Sequence, residues 1–300
     1  MDSFATATLT AGRLSLLLSP SIGGSIVALD WSDEGSTHAL MRKCHSSPQN
    51  VLEAASFPLV PFVNRIRGGQ FTFRGRTVQL APNMAGDPSP LHGQGWLGAW
   101  TVAAQQPDRA TLLFQHDAGE WPWTYQARQD FVLDASGLTL DLSCRNLSPD
   151  PMPCGLGQHP YFDCSDTTRL DTRVSHAWTI DEHVLPVDKV PARGRFDLTD
   201  RPVCGQGLDH GFGGWSGTAQ LSDPAWPCDL RMRSADARFF QLYSPETGGI
   251  CVIEPVSHAN AALNAPEAQW AELGMQVLEP GETMQLRMRL EVIPKPAQPG

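Results

Sequence analysis

Strict alternation of apolar and polar residues marks the C-terminal part of the chain. Between residues 284 and 292, Met, Leu, Met, Leu and Val are separated by single polar residues. A period of two places these apolar side chains on one face of a strand. The same alternation runs from Leu138 to Cys144, directly after the turn signal at residues 135–137. Both segments are predicted to be half-buried strands.

Many other short segments have strand-like composition, whereas few favour a helix. The further strand candidates are residues 13–18, 25–31, 71–80, 110–116, 125–134, 229–234, 238–243 and 249–254. Only residues 49–55 and 267–273 favour a helix, and each is too short to form a layer against a sheet. The pattern therefore predicts an all-β chain.

The organisation of the chain indicates one large domain. No composition shift or polar linker interrupts residues 1–293, and large β-sandwiches and barrels often fold as one unit at this length. Gly (27 residues) and Pro (25 residues) are abundant, which suits many turns between short strands. Residues 294–300 are too rich in proline to join a sheet, so we predict that they form a tail in solvent.

Charge and cysteine content argue against several classes of binding partner and cofactor. The formal net charge of −10 repels phosphate backbones and anionic lipid, so neither nucleic acid nor a membrane is an expected partner. The N-terminal residues lack the features of a signal peptide, and no run approaches the roughly 18 apolar residues of a membrane span, so we expect a cytoplasmic protein. The seven cysteines are scattered along the chain, and no two of them have C-x-x-C spacing. They are predicted to be reduced thiols in the β core, with no metal and no cofactor.

Glu254 is a candidate general base. It follows the apolar run 250–253 and precedes Pro255, so we predict that it lies at the end of a buried strand with its side chain aimed off that end. The apolar residues that precede it should partly desolvate the carboxylate and raise its pKa, which suits a base. The alternative is an exposed glutamate without a function.

His159 is a candidate acid. It lies in Gly155-Leu156-Gly157-Gln158-His159-Pro160-Tyr161-Phe162, where glycines permit close approach and Pro160 favours an extended backbone. An imidazole with a pKa near neutrality is a ready proton donor. A core histidine that is satisfied by a backbone carbonyl is the alternative.

Three further segments carry polar residues in surroundings that suit a binding site. His92 and Asp209 each lie among glycines and aromatic residues, in predicted loops at strand ends. Without a ligand, they would be a turn histidine and an Asx-turn aspartate. Asn64-Arg65 follows an apolar run and can present a guanidinium to hydroxyl groups, although a surface arginine is the default.

These segments, in this order, resemble the aldose 1-epimerase (galactose mutarotase) family over nearly the whole chain. The matching segments are 12–14 with 23–24, Phe57 to Gly69 with its Asn64-Arg65-Ile66 core, Leu91 to Gly93, Gly157 to Phe162, Asp209 to Phe212, Glu254-Pro255 and Leu278 to Glu282. The order of these segments is more specific than any one of them. The residues after Glu254 depart from better-known members, so no substrate contact is carried over to them.

The resemblance implies a fold, an activity and a set of residue roles. The fold is a large antiparallel β-sandwich, the galactose mutarotase-like supersandwich, with few short helices. The activity is interconversion of the α and β anomers of a free aldose, by a monomer or homodimer that needs no cofactor. Glu254 would take the proton from the anomeric hydroxyl, and His159 would protonate the ring oxygen. Asn64, Arg65, His92 and Asp209 match residues that bind the sugar.

Several alternatives stay open on sequence alone. A hexose-6-phosphate 1-epimerase shares fold and acid-base pair, and Arg65, Arg67, Arg74 and Arg76 are candidates for binding its phosphate. The acidity of the chain favours neutral sugars. A non-catalytic sugar-binding protein can have this fold, whereas glycoside hydrolysis normally needs two carboxylates and only Glu254 is nominated. At most one of Trp96, Trp100, Trp121 and Trp123 is expected to form a platform for the sugar.

Overall fold

β-Strands form most of the regular structure, which a computed structural model describes for residues 6–33, 35–44 and 48–296. In chain order the strands are β1 (Ala7–Ala11), β2 (Leu14–Ser19), β3 (Ser25–Asp33), β4 (Ser36–Ala39), β5 (Pro58–Leu59), β6 (Gln70–Phe73), β7 (Arg76–Gln79), β8 (Thr101–Gln106), β9 (Arg109–His116), β10 (Tyr125–Asp134), β11 (Gly137–Asn146), β12 (Met152–Cys154), β13 (Gly157–Gln158), β14 (Tyr161–Asp163), β15 (Arg169–Thr172), β16 (His176–Ile180), β17 (Pro186–Pro191), β18 (Arg201–Pro202), β19 (Leu208–Gly213), β20 (Thr218–Ser222), β21 (Cys228–Arg233), β22 (Phe239–Ser244), β23 (Ile250–Val256), β24 (Gln276–Leu278) and β25 (Thr283–Pro294).

The helices are short. Single 3-10 turns span Val51–Glu53, Arg67–Gly69, Gly194–Phe196, Ala262–Asn264 and Glu267–Gln269, and an α-helix, α1, spans Trp270–Leu273. The two predicted helical segments, 49–55 and 267–273, contain three of these elements. Within the described ranges, no helix is long and apolar enough to cross a membrane.

Two large antiparallel sheets form the body of the protein. One has the strand order β18-β15-β20-β21-β25-β11-β10-β9-β8, and the other β17-β16-β19-β22-β23-β13-β5, with β14 also paired to β23. Leu140 and Met288 from the first sheet belong to the same buried hydrophobic cluster as Phe212 and Ile253 from the second. The two sheets therefore share one core, and the predicted antiparallel β-sandwich is confirmed.

The alternating C-terminal segment forms β25 as predicted, with its five apolar side chains buried. The strand is longer than expected, because Pro294 is still paired with Cys228. The prediction that the tail begins at Pro294 is therefore wrong at that residue. Pro294 has no N–H to donate, but the next residue, Lys295, donates its backbone N–H to Pro227 O at 2.9 Å. Residues 297–300 of the predicted tail lie outside the described residues.

Residues 71–80 do not form one strand as predicted. They belong to the hairpin of β6 and β7, whose turn is Arg74-Gly75. Both turn residues have positive φ, 48° and 78°, which matches the twist that a two-residue hairpin turn requires. The two strands were predicted as one because alternation runs through both of them and the turn between them contains only one glycine.

The cysteines largely follow the sequence prediction of core thiols. Cys144, Cys154, Cys204, Cys228 and Cys251 are buried, whereas Cys44 and Cys164 are only half-buried.

Candidate active site

Glu254 lies inside β23 rather than at its end. Cys251 and Ile253 point into the core between the two large sheets, whereas Val252 and Val256 belong to a second buried cluster on the opposite face. Since side chains alternate along a strand, Glu254 shares the face of Val252 and Val256. The prediction that its side chain is aimed off the strand end is therefore wrong, although the carboxylate is buried, with 2% of its side chain exposed.

The strand continues past Pro255 because one edge of β23 is interrupted there. On that edge, β14 pairs with residues 250–252 and β13 pairs with Val256. On that edge, no residue of the described strands lies opposite Pro255, so the N–H that proline lacks is not needed there. On the other edge, Pro255 pairs with Phe240 of β22.

The interruption is where His159 lies. Gly157 is opposite Val256 and Tyr161 is opposite Val252, so the same antiparallel register places His159 opposite Glu254. The imidazole Nε2 lies 3.6 Å from Glu254 Oε1. The His159 backbone N–H donates to Phe57 O at 3.1 Å. The acid and base candidates are therefore cross-strand neighbours, although 95 residues separate them in the sequence.

Asp209 and Gln241 lie on the next two strands of the same sheet. Gln241 in β22 is opposite Glu254, and it donates from Nε2 to Asp209 Oδ1 at 2.8 Å. Asp209 is the second residue of β19, so its prediction as a loop residue is wrong. Gln241 is not among the residues that the sequence predicts for the site. The available signal was a polar residue inside the apolar run of a predicted strand.

Asn64, Arg65 and His92 form the opposite wall. The Asn64 N–H donates to His92 Nδ1 at 3.1 Å, and the His92 N–H donates to Asn64 O at 3.1 Å. Because Nδ1 accepts, a neutral His92 carries its proton on Nε2. Asn64 Nδ2 donates to Gln241 Oε1 at 3.3 Å, which joins this wall to the sheet. His92 lies in a loop, as predicted.

Arg65 is held by a buried ion pair that the sequence did not predict. Its Nε lies 2.9 Å from Asp87 Oδ2, with 10% and 9% of the two side chains exposed. Asp87 is fixed in turn, because its Oδ1 accepts from the Ser89 N–H at 2.8 Å. The guanidinium is therefore held in place at the wall of the site.

Aromatic rings fix the imidazole of His159. The Phe57 ring stacks on it with centroids 4.5 Å apart, and the Tyr161 ring lies at 4.7 Å and is tilted by 40°. The guanidinium of Arg42 lies 3.7 Å from the centroid of Tyr161. These contacts orient His159 and also desolvate it.

The six residues selected from the sequence line one cavity of about 300 Å³. They are Asn64, Arg65, His92, His159, Asp209 and Glu254. Larger depressions, of about 410 and 590 Å³, contain none of them. Of the four tryptophans considered as sugar platforms, only Trp96 lines this cavity, whereas Trp100, Trp121 and Trp123 are buried in the main core.

Burial controls the charge state of the acid-base pair. Burial raises the pKa of Glu254 well above its usual value, and the negative charge of Asp209 raises it further, while Arg65 opposes this effect. Burial lowers the pKa of His159 to about 3, and the Arg42 cation acts in the same direction. The raised pKa of Glu254 was predicted, whereas the expectation of a near-neutral pKa for His159 is wrong because its imidazole is buried.

Two other groups in the cavity are also shifted by burial. The pKa of Asp209 is raised by burial, an effect that Arg65 and the Gln241 hydrogen bond reduce. The pKa of His92 is lowered well below its usual value by burial and by the charges of His159 and Arg65. His92 is therefore a neutral hydrogen-bond donor at neutral pH.

The pair also contains polar atoms that no other group of the described chain satisfies. Among the described residues, His159 Nδ1 and Glu254 Oε2 are buried without a hydrogen-bond partner. Such atoms are rare inside proteins and are frequent at functional sites. Neither here nor in the rest of the described chain is there a group of three or more His, Cys, Asp or Glu side chains that could hold a metal ion.

The remaining arginines of the proposed phosphate set lie away from the cavity. Arg67 contacts Asp181 at 3.3 Å, and Arg74 lies near Glu267 and Glu279 at 3.9 and 3.4 Å. Arg76 lies over the Trp123 ring, 5.8 Å from its centroid. Only Arg65 of the four lines the cavity.

Sequence comparison gives the family of the chain. A family model described as aldose 1-epimerase matches residues 6–291. The chain belongs to this family.

Two relatives and one solved structure show the range of similarity within and around the aldose 1-epimerase family. The uncharacterized protein YphB of Escherichia coli K12 is 32% identical over 299 residues, covering 95% of this chain and 98% of the relative. The aldose 1-epimerase of Escherichia coli K12 is 24% identical over 192 residues, covering 58% of this chain and 54% of that protein. A crystal structure of an Escherichia coli K12 protein, provisionally named an aldose 1-epimerase, is 32% identical, with a TM-score of 0.88 and coverage of 97% of this chain and 99% of its own.

Proposed function

We propose that this member of the aldose 1-epimerase family is a mutarotase, which interconverts the α and β anomers of a free aldose. The observation that carries the proposal is the pairing of His159 Nε2 and Glu254 Oε1, 3.6 Å apart, in a cavity of about 300 Å³. This volume is at the lower end of the range for small-molecule sites.

The reaction needs one proton removed and one delivered at two oxygens on the same carbon. Glu254 removes the proton from the anomeric hydroxyl while His159 protonates the ring oxygen, and the C1–O5 bond breaks to give the open-chain aldehyde. Rotation about C1–C2 presents the other face of the aldehyde. The two groups then reverse roles to close the ring.

The proton inventory of the pair matches this chemistry. A neutral imidazole and a protonated carboxyl together hold one proton more than a neutral imidazole and a carboxylate, which is the number that the exchange between two oxygens requires. The shifted pKa values favour that proton on Glu254 in the free site. Transfer from Glu254 to His159 as the sugar binds then gives the imidazolium and carboxylate that ring opening uses.

The walls supply hydrogen-bonding groups for the sugar. Arg65 and His92 Nε2 are donors on one side, and Asp209 is an acceptor on the other. Because Asp87 and Gln241 hold Arg65 and Asp209, the hydroxyl-binding groups are already oriented before the sugar arrives.

The placement of the arginines favours a neutral sugar over a hexose 6-phosphate. Arg65 is already paired with Asp87, and the cavity contains two further carboxyl groups, Asp209 and Glu254. Arg67, Arg74 and Arg76 do not line it. A dianion would therefore meet little uncompensated positive charge.

Polarimetry tests the function directly. The wild-type protein should accelerate mutarotation of at least one freshly dissolved aldose, in a panel of hexoses, pentoses and hexose 6-phosphates. His159→Ala and Glu254→Gln should each lower the catalysed rate by about 10²-fold or more, because each removes one partner in proton transfer.

The controls separate the three candidate functions. Circular dichroism should show that both variants fold. Wild-type rates no greater than the buffer rate, together with sugar binding by calorimetry, would support a non-catalytic sugar-binding protein instead. Acceleration restricted to 6-phosphates would favour the hexose-6-phosphate 1-epimerase.

A further inference from the structure

The segment that follows the catalytic strand holds the backbone of the sugar-binding wall. The Val63 N–H donates to His258 Nε2 at 2.9 Å, and the Arg65 N–H donates to Asn260 Oδ1 at 3.0 Å. The Arg67 N–H continues the series, donating to Asn264 Oδ1 at 2.7 Å. Alternate residues of an extended chain expose their N–H groups on the same edge. The side chains of His258 and Asn260 therefore take the place of a neighbouring strand along the wall, whereas Asn264 makes its contact beyond it.

The other edge of this wall is bound independently. Arg65 forms an isolated antiparallel bridge with Leu91, and the Ile66 N–H donates to Pro90 O at 3.2 Å. Asn64 has a positive φ of 56°, a conformation that costs a non-glycine residue energy unless its surroundings hold it. The Arg65 N–H bond to Asn260 holds the peptide that follows this residue.

Asn260 is itself fixed at both ends of its amide. Its Oδ1 accepts from Arg65, and its Nδ2 donates to Val184 O at 2.8 Å. It is half-buried and does not line the cavity. Its effect on the sugar therefore has to pass through Asn64 and Arg65.

The start of the segment is anchored to the strand of the acid. The Ser257 N–H donates to Leu156 O at 2.8 Å, and the Leu156 N–H donates to Ser257 Oγ at 2.9 Å. Asn260 is thus only six residues beyond Glu254, on a segment that cannot shift freely relative to the base.

We propose that Asn260 is a positioning residue, which sets the placement of Asn64 and Arg65 relative to Glu254 and so controls how tightly the sugar is held. The inference rests on the proposed mutarotase function. It assigns a role to the region where the family resemblance carried over no contact.

Steady-state kinetics of Asn260→Ala test the inference. The variant should lower kcat/KM by about 10-fold to 100-fold, mainly through a higher KM, because the His159–Glu254 pair is intact and the hydroxyl-binding wall is displaced. Asn260→Asp should recover part of the loss, because it keeps the acceptor for the Arg65 N–H, although a carboxylate oxygen replaces the donor to Val184 O.

Asn264→Ala is the matched control. It removes the same type of amide-to-backbone contacts, here to Arg67 and Gln70, which lie outside the wall and do not line the cavity, so its KM should stay at the wild-type value. Thermal unfolding of every variant separates kinetic effects from lost stability. Asn260→Ser, whose shorter side chain cannot reach the Arg65 N–H in the same way, is measured in parallel in case the alanine variant does not fold.

The outcomes distinguish the inference from the function on which it rests. An inactive wild-type protein contradicts the mutarotase proposal. An active wild type with an unchanged KM in Asn260→Ala or Asn260→Ser overturns the positioning role. Equal KM increases in the Asn260→Ala and Asn264→Ala variants also overturn it, since they would reflect general loosening of the segment.

Discussion

The pKa values of His159 and Glu254 depend on residues that are remote in sequence. The sequence around Glu254 predicted partial desolvation, and the direction of its pKa shift is confirmed. The additional influence of Asp209 on Glu254, and of Arg42 on His159, follows only from the folded arrangement. The sequence could therefore nominate the candidate residues one by one, whereas the coupling of their protonation states follows only from the fold.

The pH dependence of kcat/KM should reflect this arrangement. The form of the pair that holds one proton exists between the low pKa of His159, about 3, and the raised pKa of Glu254, so loss of the Glu254 proton should set the alkaline limb. Asp209→Asn removes a negative charge that raises the pKa of Glu254. The alkaline limb should therefore move to lower pH, in addition to an overall loss of activity.

A charge-matched variant checks that the shift is local. Asp188→Asn removes one negative charge at an exposed residue outside the cavity, so its alkaline limb should coincide with that of the wild type. An alkaline limb that does not move in Asp209→Asn would show that another group sets it.

Gln241 and Asp87 show why part of the site was not found from the sequence. Neither belongs to a segment that was selected for its chemistry, and each acts by holding another side chain, Asp209 or Arg65. The role of such a supporting residue depends on the side chain that it holds, and only the fold brings the two side chains together. Its own sequence neighbours therefore carry little information about its role.

At the scale of elements, the strands were more predictable than their ends. Period-two patterns predicted β11 and β25, because one face of each is buried and the other is not. The predicted end of β23 at Glu254 is wrong, because a proline ends a strand only where its missing N–H would have to donate, and one edge of β23 has no strand partner at Pro255 in the described chain. Local proline rules depend on which strand edge is occupied.

The contact of Gly155 with the segment after Glu254 gives an element-scale prediction. A Cβ at Gly155 would lie 2.0 Å from His258 Cδ2, so Gly155→Ala must displace the imidazole that accepts from the Val63 N–H. Overpacking of this kind typically costs about 1–3 kcal/mol of unfolding free energy. Urea denaturation should show this loss, and KM should rise as the wall of Asn64 and Arg65 loosens.

Gly119 provides the control for this substitution. The nearest atom to a Cβ there is Asp117 O, at 3.9 Å, so Gly119→Ala adds the same methyl group without a clash. It should leave KM unchanged and stability within about 1 kcal/mol of wild type, in either direction. A Gly155→Ala variant as stable as Gly119→Ala would contradict the packing argument.

At the scale of the whole molecule, composition and periodicity predicted the all-β class but not the order of the strands. The strand β13 lies between β5 and β23, and β25 lies between β21 and β11. β13 is about 100 residues from each of its two neighbours, and β25 lies more than 130 residues after β11. The approach of His159 to Glu254 results from this topology, and before the structure it could be expected only from the order of motifs shared with a family.

Buried histidines should make the whole protein sensitive to mild acid. Burial lowers the pKa of His258 and of His210 to about 4 and that of His159 to about 3, and the pKa of His92 also falls. In the unfolded chain these groups titrate near 6.5. Between about pH 6.5 and 4 the unfolded chain therefore binds more protons at these four sites, so their contribution to stability is lost as pH falls through this window.

The buried carboxyl groups oppose this effect but do not cancel it. The raised pKa values of Glu254, Asp209 and Asp30 let the folded state hold up to three more protons than the unfolded chain, against four from these histidines. The lowered pKa values of His116 and His176 add to the histidine effect. The lowered pKa of Asp134 acts in the same direction as the histidines, but mainly below the ordinary aspartate pKa of about 3.9, where the unfolded carboxylate binds its proton first. The unfolding free energy should therefore decrease from pH 6.5 to 4.5.

His258 isolates the contribution of one histidine to this acid sensitivity. Its Nε2 accepts from the Val63 N–H and its Nδ1 bonds to Ala259 O at 2.8 Å, so a second ring proton has to break the contact with Val63. In urea denaturation at several pH values, His258→Gln should be less stable than wild type near pH 7. Its unfolding free energy should depend less steeply on pH, by up to about 1.4 kcal/mol per pH unit. The control His183→Gln, at an exposed residue, should keep the wild-type slope of unfolding free energy against pH. If wild type and His258→Gln have the same slope, His258 is not held neutral by its contacts.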